Sequence, residues 1–300
     1  MSKVSVVIPT YGKPLFLKKS IESVLSQTLR DWELLVVDDN DPDSEGRVET
    51  EKLMLCYTEN SQIHYIKHSH NKNGAAARNT GIAMCTGDFI AFLDSDDLYL
   101  PTRLEKCVAA MEKAEDPLVG GVYSGCSFLR KGKEYYRMKR IKSGNFLVET
   151  LACTFPFCSG SNIFMKADIV RELKFDESFI RHQDYEFLAR FFKKYSLQAI
   201  PEILIIKNNE NINLPNPQKM TEVKEHYLKK FEGTIQTLPQ DKQDFIYRSN
   251  YISILMSAAR VGQKEVQQEY YDKIISLGGI SLKERLKLFA FNIHSMIAKN

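Results

Sequence analysis

Three aspartates behind a short apolar run are the residues of this sequence whose types and spacing best suit chemistry. Residues 90–93 are apolar, and Asp94, Asp96 and Asp97 follow within four positions. Carboxylates this close repel one another unless a cation lies among them. Oxygen ligands at the end of a strand suit Mg²⁺ or Mn²⁺, which keep several waters and bind substrate phosphates. The cluster therefore predicts a metal-bound diphosphate; the alternative is that Asp96 and Asp97 cap the helix that Pro101 begins.

Strand and helix patterns alternate ahead of and around this cluster, and they predict where it lies. The predicted strands are residues 4–8, 32–37, 63–67 and 88–93, and the predicted helices are residues 14–27, 45–57 and 74–84. This alternation favours a mostly parallel sheet that is covered by helices on both faces. In such sheets the ligand crevice lies outside the carboxyl ends of the strands. We therefore expect the polar loops at residues 9–12, 38–40 and 94–97 to meet in one crevice.

Tyr11 and Asp39, in the first two of these loops, have side chains that could hold a nucleotide base. The ring of Tyr11 offers a face for stacking, and Asp39 offers an acceptor for the N–H of a base such as uracil. Each residue also has a structural interpretation, since a loop tyrosine often packs and a loop aspartate often caps a helix. Both interpretations stay open for each residue at this point.

Residues 70–81 combine small side chains with an arginine, Arg78, whose position suits phosphate binding. Gly74 and the three alanines after it allow close backbone approach, and Arg78 is placed to reach a diphosphate with its planar fork of donors. His68 and His70 have a spacing that metal sites use, but no carboxylate lies near them in sequence. For these histidines a structural role at the strand end and in the loop is favoured.

The composition of the chain limits the classes of protein to which it can belong. With 300 residues and a formal net charge of +3, the chain has length for a large core and too little charge to argue for a nucleic-acid partner. The six cysteines form no Cys-x-x-Cys pair, which favours free thiols in a reducing cytosol. No run of about 18 apolar residues occurs, and the apolar residues 4–8 are too few for a signal peptide. We expect a cytoplasmic protein, soluble or lying on the inner face of a membrane.

Four motifs in order resemble the inverting family 2 glycosyltransferases of the GT-A fold, of the kind that build bacterial polysaccharides and other glycans. The motifs are Val-Val-Ile-Pro-Thr-Tyr, Leu-Leu-Val-Val-Asp-Asp, Gly-Ala-Ala-Ala-Arg-Asn-Thr-Gly-Ile and Phe-Leu-Asp-Ser-Asp-Asp. Each motif alone is weak, but their order and separation form a strong signal over the first two thirds of the chain. The resemblance implies an α/β, Rossmann-like GT-A domain followed by a helical C-terminal extension.

The resemblance also implies roles for residues of the donor site. Pro9, Thr10, Tyr11 and Asp39 would hold the nucleoside, with Arg78 near the phosphates and Asp94, Ser95 and Asp96 completing the site. Asp96 is the first candidate for binding Mn²⁺ or Mg²⁺ and Asp94 the second, which leaves Asp97 as the helix cap. UDP is the nucleotide that the resemblance favours, although Asn40 stands where many relatives have a small residue.

Asp184 is the candidate catalytic base. Leu188 and Phe191 follow it at helical spacing, so periodicity places this carboxylate on or beside a buried stripe, where it needs a partner or a purpose. Relatives carry an acidic pair here with the aspartate as base, whereas this chain has Gln183 before Asp184. The acceptor would lie near Ser159, Gly160, His182 and Gln183. A cap role for Asp184 is the structural alternative.

Two basic segments lie outside these motifs. Residues 130–142 form a hairpin-like stretch that is either a solvated edge strand or a surface for an anionic acceptor, and the edge interpretation is favoured. The chain turns helical at residues 223–231, 241–261, 264–277 and 282–298. The last helix is basic and amphipathic, so it either lies on an anionic membrane or packs on preceding helices or a second subunit. A homo-oligomer is therefore open.

Together these features predict a three-part organisation and a function. Residues 1–100 would bind the nucleotide sugar, residues 101–215 the acceptor and the base, and residues 216–300 would form the helical region. The expected activity is metal-dependent, inverting transfer from a UDP-sugar to a hydroxyl of a glycan or lipid-linked glycan. A non-catalytic sugar-nucleotide-binding module is the alternative. A nucleotide-linked oxidoreductase is disfavoured because Pro-Thr-Tyr-Gly stands where its Gly-x-Gly-x-x-Gly turn would be.

Overall fold

A computed structural model describes residues 4–209 and 217–278 of the chain. These residues form two compact units. The first comprises residues 4–145 and 156–209, and the second comprises residues 146–155 and 217–278. The short segment 146–155 thus belongs to the second unit, although the chain on either side of it belongs to the first.

The first unit is built on one sheet, to which the described residues contribute nine strands. The strands are β1 (Val4–Thr10), β2 (Trp32–Asp38), β3 (Ile63–Lys67), β4 (Phe89–Phe92), β5 (Leu98–Tyr99), β6 (Val119–Arg130), β7 (Lys133–Met138), β8 (Phe164–Lys166) and β9 (Ser196–Asn208). Their order across the sheet is β3-β2-β1-β4-β8-β6-β9-β5, and β7 pairs with β6.

Helices connect these strands and form the second unit. They are α1 (Leu17–Leu25), α2 (Glu45–Met54), α3 (Gly74–Met84), α4 (Arg103–Glu112), α5 (Leu147–Leu151), α6 (Ala167–Leu173), α7 (Gln183–Phe191), α8 (Pro217–Gln236), α9 (Gln240–Val261) and α10 (Lys264–Ser276). The bounds predicted for β3 and α3 are confirmed, and β1 extends two residues beyond the prediction, so that Pro9 and Thr10 end the strand.

Strands β3, β2, β1 and β4 form the parallel half of the sheet. β1 pairs in parallel with β2 on one side and β4 on the other, and β2 pairs in parallel with β3. β1 and β2 are almost wholly buried because helices cover both faces of the sheet. This register brings the carboxyl ends of β1, β2 and β4 to one edge, as the sequence pattern predicts, and the α/β GT-A-like fold class is confirmed.

The other half of the sheet is mixed. β8 pairs antiparallel with β4 and β6, whereas the long strands β6 and β9 pair in parallel. β6 and β7 form an antiparallel hairpin at the predicted basic stretch, and the residues of β7 are exposed up to Met138. β7 is therefore an exposed edge strand, as the edge interpretation of that stretch expects.

Close contact between α3 and β1 depends on one glycine. A Cβ atom built on Gly81 would lie 2.4 Å from Cγ1 of Val7, far inside van der Waals contact. The three alanines before Arg78 are buried for the same reason, because this helix lies directly on the sheet. The small residues of the motif thus bring α3 close enough to present Arg78 at the strand ends.

The second unit consists of α5 and the three helices α8 to α10. The hydroxyl of Tyr227 donates to the carbonyl of Thr150, and the amide of Asn250 donates to the carbonyl of Leu151, so α5 is fastened to α8 and α9. Tyr270 packs beside Ile254 and Ile274 and donates to Glu225. The basic helix predicted at residues 282–298 lies outside the described residues.

The cysteines and the helices also bear on expectations drawn from the sequence. All six cysteines lie in the described ranges as free thiols. Within the same ranges, no helix combines the length and apolar character needed to cross a membrane.

Candidate active site

The carboxyl ends of β1, β2 and β4 open into a cavity of about 570 Å³. It is lined by every residue predicted to contact the donor, together with residues that the sequence did not single out. The predicted members are Pro9, Thr10, Tyr11, Asp39, Arg78, Asp94, Ser95 and Asp96. The convergence expected from strand-end positions is therefore observed, while the contact of each residue with a ligand stays a prediction.

Tyr11 and Asp39 occupy opposite extremes of exposure in this cavity. The ring of Tyr11 is 67% exposed, whereas Asp39 is 2% exposed. The carboxylate of Asp39 accepts hydrogen bonds from Nδ1 of His68 at 2.7 Å, from Nδ2 of Asn71 and from the backbone of residues 72 and 73. Asp39 therefore organises the loop before α3, and a base that donates to it must share an oxygen with these donors. His68 has the structural role that the sequence favoured.

A buried ion pair that the sequence analysis missed supports the Asp39 loop. Nε of Arg47 lies 2.9 Å from Oδ2 of Asp38, and Nη2 of Arg47 donates to the carbonyls of Asp38, Asn40 and His68. Asn40 accepts from the backbone N–H of Gly12 at 2.7 Å and so ties the loop after β1 to the loop after β2. Asn40 is thus structural here. Arg47 gave no signal because most of its contacts are with backbone carbonyls, which no side-chain pattern marks.

Arg78 lies at the centre of the site. Its Nη2 donates to Oδ1 of Asp94 at 2.7 Å and its Nη1 donates to Oε1 of Gln183 at 2.9 Å, while its Nε is buried without a hydrogen-bond partner among the described residues. Its guanidinium carbon lies 5.4 Å from the centre of the Phe175 ring. Gln183 therefore acts as a neutral acceptor for Arg78 in place of the acidic residue of the family pattern.

The carboxylates of Asp94 and Asp96 have different environments. Burial acts to raise the pKa of Asp94, but the charges of Arg78 and Lys207 outweigh it and hold that pKa below its ordinary value. Burial raises the pKa of Asp96, to which the charge of Asp94 adds. Asp96 lines the cavity and accepts no hydrogen bond from another described residue.

Asp96 therefore fits a divalent cation better than Asp94 does. A single available carboxylate leaves most coordination positions to water and phosphate oxygens, as Mg²⁺ and Mn²⁺ prefer. No group of three or more His, Cys, Asp or Glu side chains that could hold a metal ion occurs within residues 4–209 and 217–278. This arrangement thus suits a cation that is bound by Asp96 and by oxygens of a diphosphate. Asp94 is less available, because one of its oxygens already pairs with Arg78.

The prediction that Asp97 caps a helix is wrong. α4 begins at Arg103, with β5 between it and the aspartate cluster, and the turn from Asp94 to Asp97 directs the last carboxylate into the interior. There Asp97 accepts from the hydroxyls of Ser159 and Ser161 and from Nζ of Lys207. Burial raises the pKa of Asp97 to about 6, although Lys207 opposes this shift.

Lys207, at the end of β9, is a member of the site that the sequence analysis missed. Its Nζ lies 3.1 Å from Oδ2 of Asp97 and 3.7 Å from Oδ2 of Asp94, and its side chain lines the cavity. These carboxylates, with Asp96, raise its pKa well above the ordinary value despite burial. A signal was present, because Lys207 follows the apolar residues 203–206 as Asp94 follows residues 90–93.

A second, smaller cavity of about 160 Å³ adjoins the first. It shares Arg78 and Asp94 with the donor cavity and is lined by all the residues predicted for the acceptor and the base. Those residues are Ser159, Gly160, His182, Gln183 and Asp184. Their predicted roles stay predictions, but the structure brings them together.

Asp184 lies in the first turn of α7, half-buried beside the apolar face of that helix. Its carboxylate accepts from the backbone N–H of Tyr185 at 2.9 Å. Burial raises its pKa, and the nearby charge of Asp94 acts in the same direction while that of Arg78 opposes it. A carboxylate with a raised pKa in a cleft is suited to accepting a proton.

Ser159 and Gly160 shape this cavity in different ways. The hydroxyl of Ser159 donates to Asp97, so this side chain belongs to the buried carboxylate network. A Cβ atom on Gly160 would lie 3.3 Å from Nη2 of Arg78 and 3.5 Å from Oδ1 of Asp94. The missing side chain at residue 160 therefore leaves room for the ion pair that separates the two cavities.

The mixed sheet and the cavity at its strand ends are those of a glycosyltransferase of the GT-A class. Residues 5–174 match the model of Glycosyl transferase family 2, and the chain belongs to that family. An uncharacterized glycosyltransferase of Methanocaldococcus jannaschii, MJ1057, is 35% identical over 69% of this chain and 72% of its own length. WfgD of Escherichia coli, named as a UDP-Glc:alpha-D-GlcNAc-diphosphoundecaprenol beta-1,3-glucosyltransferase, is 38% identical over 40% of this chain and 45% of its own.

Solved structures support the same fold. Residues 1–349 of S. aureus TarS, in complex with UDP-GlcNAc, superpose with a TM-score of 0.65 and 14% identity over 92% of this chain and 81% of that one. This chain spans 43% of the longer TarS chain, at a TM-score of 0.59 and 16% identity. The likeness establishes the GT-A architecture that the motifs predict.

Proposed function

We propose that this chain transfers a glycosyl group from a UDP-sugar to a hydroxyl of a glycan or lipid-linked glycan, with inversion of the anomeric carbon and with a divalent cation. The observation that carries the proposal is the pair of adjoining cavities. One holds Asp96 and the predicted nucleotide contacts, the other holds Asp184, and both share Arg78 and Asp94. A donor and an acceptor bound in the two cavities would meet at that shared wall.

The larger cavity has the groups needed to hold a nucleoside diphosphate. The exposed ring of Tyr11 offers a stacking face, and Asp39 offers an acceptor that discriminates between bases by their N–H groups. UDP is favoured by the family resemblance, and the printed name of WfgD states a UDP-sugar donor for that relative. The base preference of this chain is the part of the proposal that a donor panel tests first.

Charge at the diphosphate would be balanced by two side chains and a cation. Arg78 and Lys207 both line the cavity, and each pairs with one oxygen of Asp94. Asp96 would hold Mg²⁺ or Mn²⁺, which would supply a Lewis acid for the charge that develops on the leaving diphosphate.

Asp184 would act on the acceptor. In the smaller cavity its carboxylate removes the proton of the attacking hydroxyl, and that oxygen approaches the anomeric carbon from the side opposite the leaving diphosphate. Attack from the opposite face inverts the configuration. Burial keeps the Asp184 carboxylate more basic than an exposed aspartate, which suits this proton transfer.

The lipid-linked acceptor is supported by the relatives. WfgD, whose name states a diphosphoundecaprenol-linked acceptor, shares 38% identity over 120 residues with this chain. An acceptor of that class carries a diphosphate and a prenyl chain, so an enzyme that uses it works beside a membrane.

A donor panel tests the proposal. The full chain is incubated with UDP-glucose, UDP-N-acetylglucosamine, UDP-galactose and GDP-mannose, each with Mn²⁺, Mg²⁺ or a chelator, and release of nucleoside diphosphate is measured with glycan and prenyl-diphosphate-linked acceptors. We expect turnover of a UDP-sugar that stops with chelator, and an inverted anomer by NMR of the product.

Calorimetry with UDP and Mn²⁺ separates the alternatives. Binding of UDP with no transfer from any donor would favour the non-catalytic sugar-nucleotide-binding module. Absence of binding by every nucleoside diphosphate would overturn the donor site itself.

A further inference from the structure

The β6–β7 hairpin and the segment after it carry a concentrated positive charge. Residues 130–142, here called the basic hairpin, contain seven Lys or Arg residues and one acidic residue, Glu134. The whole chain has a formal charge of +3, from 41 basic and 38 acidic residues. The rest of the chain is therefore net negative, with 34 basic and 37 acidic residues, although residues 282–298 also form a basic segment.

This charge faces solvent and is not neutralised by the first unit. All seven basic residues are exposed. Glu134 pairs with Arg137, and no ion pair joins the other six to a residue within the described ranges. A charge run of one sign on an edge strand discourages strand pairing, but six unpaired cations exceed what that role needs. The surface is suited to an anionic partner.

Aromatic rings complete the surface. Tyr135 and Tyr136 are 56% and 53% exposed, and their ring centres lie 6.4 and 5.4 Å from that of the half-buried Phe128. The guanidinium of Arg130 covers Tyr135 at 5.9 Å. Because these rings pack on one another and under an arginine, they do not present parallel open faces for stacked bases. Tyrosines beside Lys and Arg are instead typical of protein surfaces that sit among lipid headgroups.

We propose that the basic hairpin binds the anionic surface of a phospholipid bilayer. Lys and Arg would contact headgroup phosphates, and the exposed rings of Tyr135 and Tyr136 would enter the headgroup region. This contact does not involve the predicted helix at residues 282–298, and it needs no helix that crosses a membrane.

The hairpin is physically continuous with the donor cavity. Lys207 is paired in register with Phe128, and Nδ2 of Asn209 donates to the hydroxyl of Tyr135 at 2.7 Å. A bilayer held at the hairpin would lie one strand away from the residues that line the cavity. This consequence rests on the proposed function, since it places a lipid-linked acceptor near the site; the membrane contact itself does not.

Vesicle co-sedimentation of the full chain tests the contact. The vesicles are phosphatidylcholine alone and equimolar phosphatidylcholine and phosphatidylglycerol. We expect binding to the anionic vesicles only, weakened by salt because the Debye length falls from about 10 Å at 0.1 M to about 3 Å at 1 M.

A charge variant and its matched control assign the binding to the hairpin. The variant replaces Lys131, Lys133 and Arg140 by Gln, and the control replaces the exposed Lys18, Lys19 and Lys113 by Gln, so that both lose the same charge. The hairpin variant should bind anionic vesicles roughly 100-fold more weakly, since each basic residue near the surface contributes about fivefold. The control should bind as the parent chain does.

Three outcomes would overturn the proposal. These are equal vesicle binding by the hairpin variant and the parent, an equal loss in the control, or vesicle binding unchanged while binding to a single-stranded RNA is lost. Matched thermal unfolding of the variants excludes a folding defect. Because UDP binding is measured on the same samples, failure of the membrane contact is distinguishable from failure of the donor site.

Discussion

At the level of single residues, three aspartates of one short segment are separated into three roles by their surroundings. Asp94 is held by Arg78, Asp97 is buried with Lys207 and two serines, and Asp96 faces the cavity. The chemical type is the same in all three. Which carboxylate can bind a cation is decided by which one has no partner in the protein.

The clearest test of this division compares substitutions of Asp96 and Asp97. Asp96→Ala should abolish metal-dependent UDP binding in calorimetry and leave urea unfolding nearly unchanged. Asp97→Ala should lower the free energy of unfolding by about 3 kcal/mol, because it leaves Lys207 without its buried partner. Equal stability of the two variants would contradict the assignment of Asp97 to the interior.

Asp184→Asn should slow sugar transfer by about 10²-fold or more while UDP and Mn²⁺ bind as before, because the amide cannot accept the acceptor proton. The matched control is Asp88→Asn, an exposed aspartate outside both cavities, which should leave transfer unchanged. Full activity in the Asp184 variant would remove it as the base.

The pH dependence of kcat/KM gives a second readout for Asp184. The base acts when deprotonated, and burial raises its pKa. The rate should therefore fall as the pH drops through a value above the ordinary aspartate pKa of about 3.9. Gln183→Glu adds a negative charge next to Asp184, which should move this acid limb to still higher pH. If the acid limb of the kcat/KM profile does not move, residue 183 does not influence the pKa of Asp184.

At the level of elements, the site depends on how closely α3 approaches β1. Gly81→Ala places a methyl group 2.4 Å from Val7 and should lower the free energy of unfolding by about 1–3 kcal/mol, with weaker UDP binding because α3 carries Arg78. Gly233→Ala is the control. Its Cβ meets nothing within 4 Å in α8, so helix propensity should stabilise the chain by about 0.5–1 kcal/mol. Urea unfolding should therefore show a lower free energy of unfolding for Gly81→Ala and a higher one for Gly233→Ala than for the parent chain.

Helices and strands with strong periodicity were predicted correctly, whereas the positions of residues that join the site through long-range contacts were not. The bounds of β3 and α3 were correct because polar residues flank the first pattern on both sides and Asn73 caps the start of the second. The placement of Asp97 as a cap was wrong because β5 has two residues, too few for a pattern to reveal. Lys207 was missed since β9 comes more than 100 residues after the aspartates that it pairs with.

At the level of the whole molecule, charge and chain path are arranged in ways that no single motif shows. Seven basic residues lie in the basic hairpin, and its strand β6 pairs with β9, which carries Lys207 into the donor cavity. The segment 146–155 leaves the first unit and packs with α8 and α9 of the second. A chain division drawn only from pattern shifts along the sequence cannot detect such an excursion, because it is created by long-range contacts.

Patterns along the chain were enough to predict the α/β class, the strand-end positions of Tyr11, Asp39 and Asp94, and the family resemblance, which in turn implies Asp184 as the candidate base. These follow from local patterns and from motif order, which need no knowledge of distant contacts. Only the tertiary structure decided that Asp97 is buried, that Arg78 bridges Asp94 and Gln183, and that Arg47 and Lys207 complete the site. The reason is physical: an ion pair or a buried carboxylate is defined by its partners, and those partners meet only when the sheet brings remote segments together.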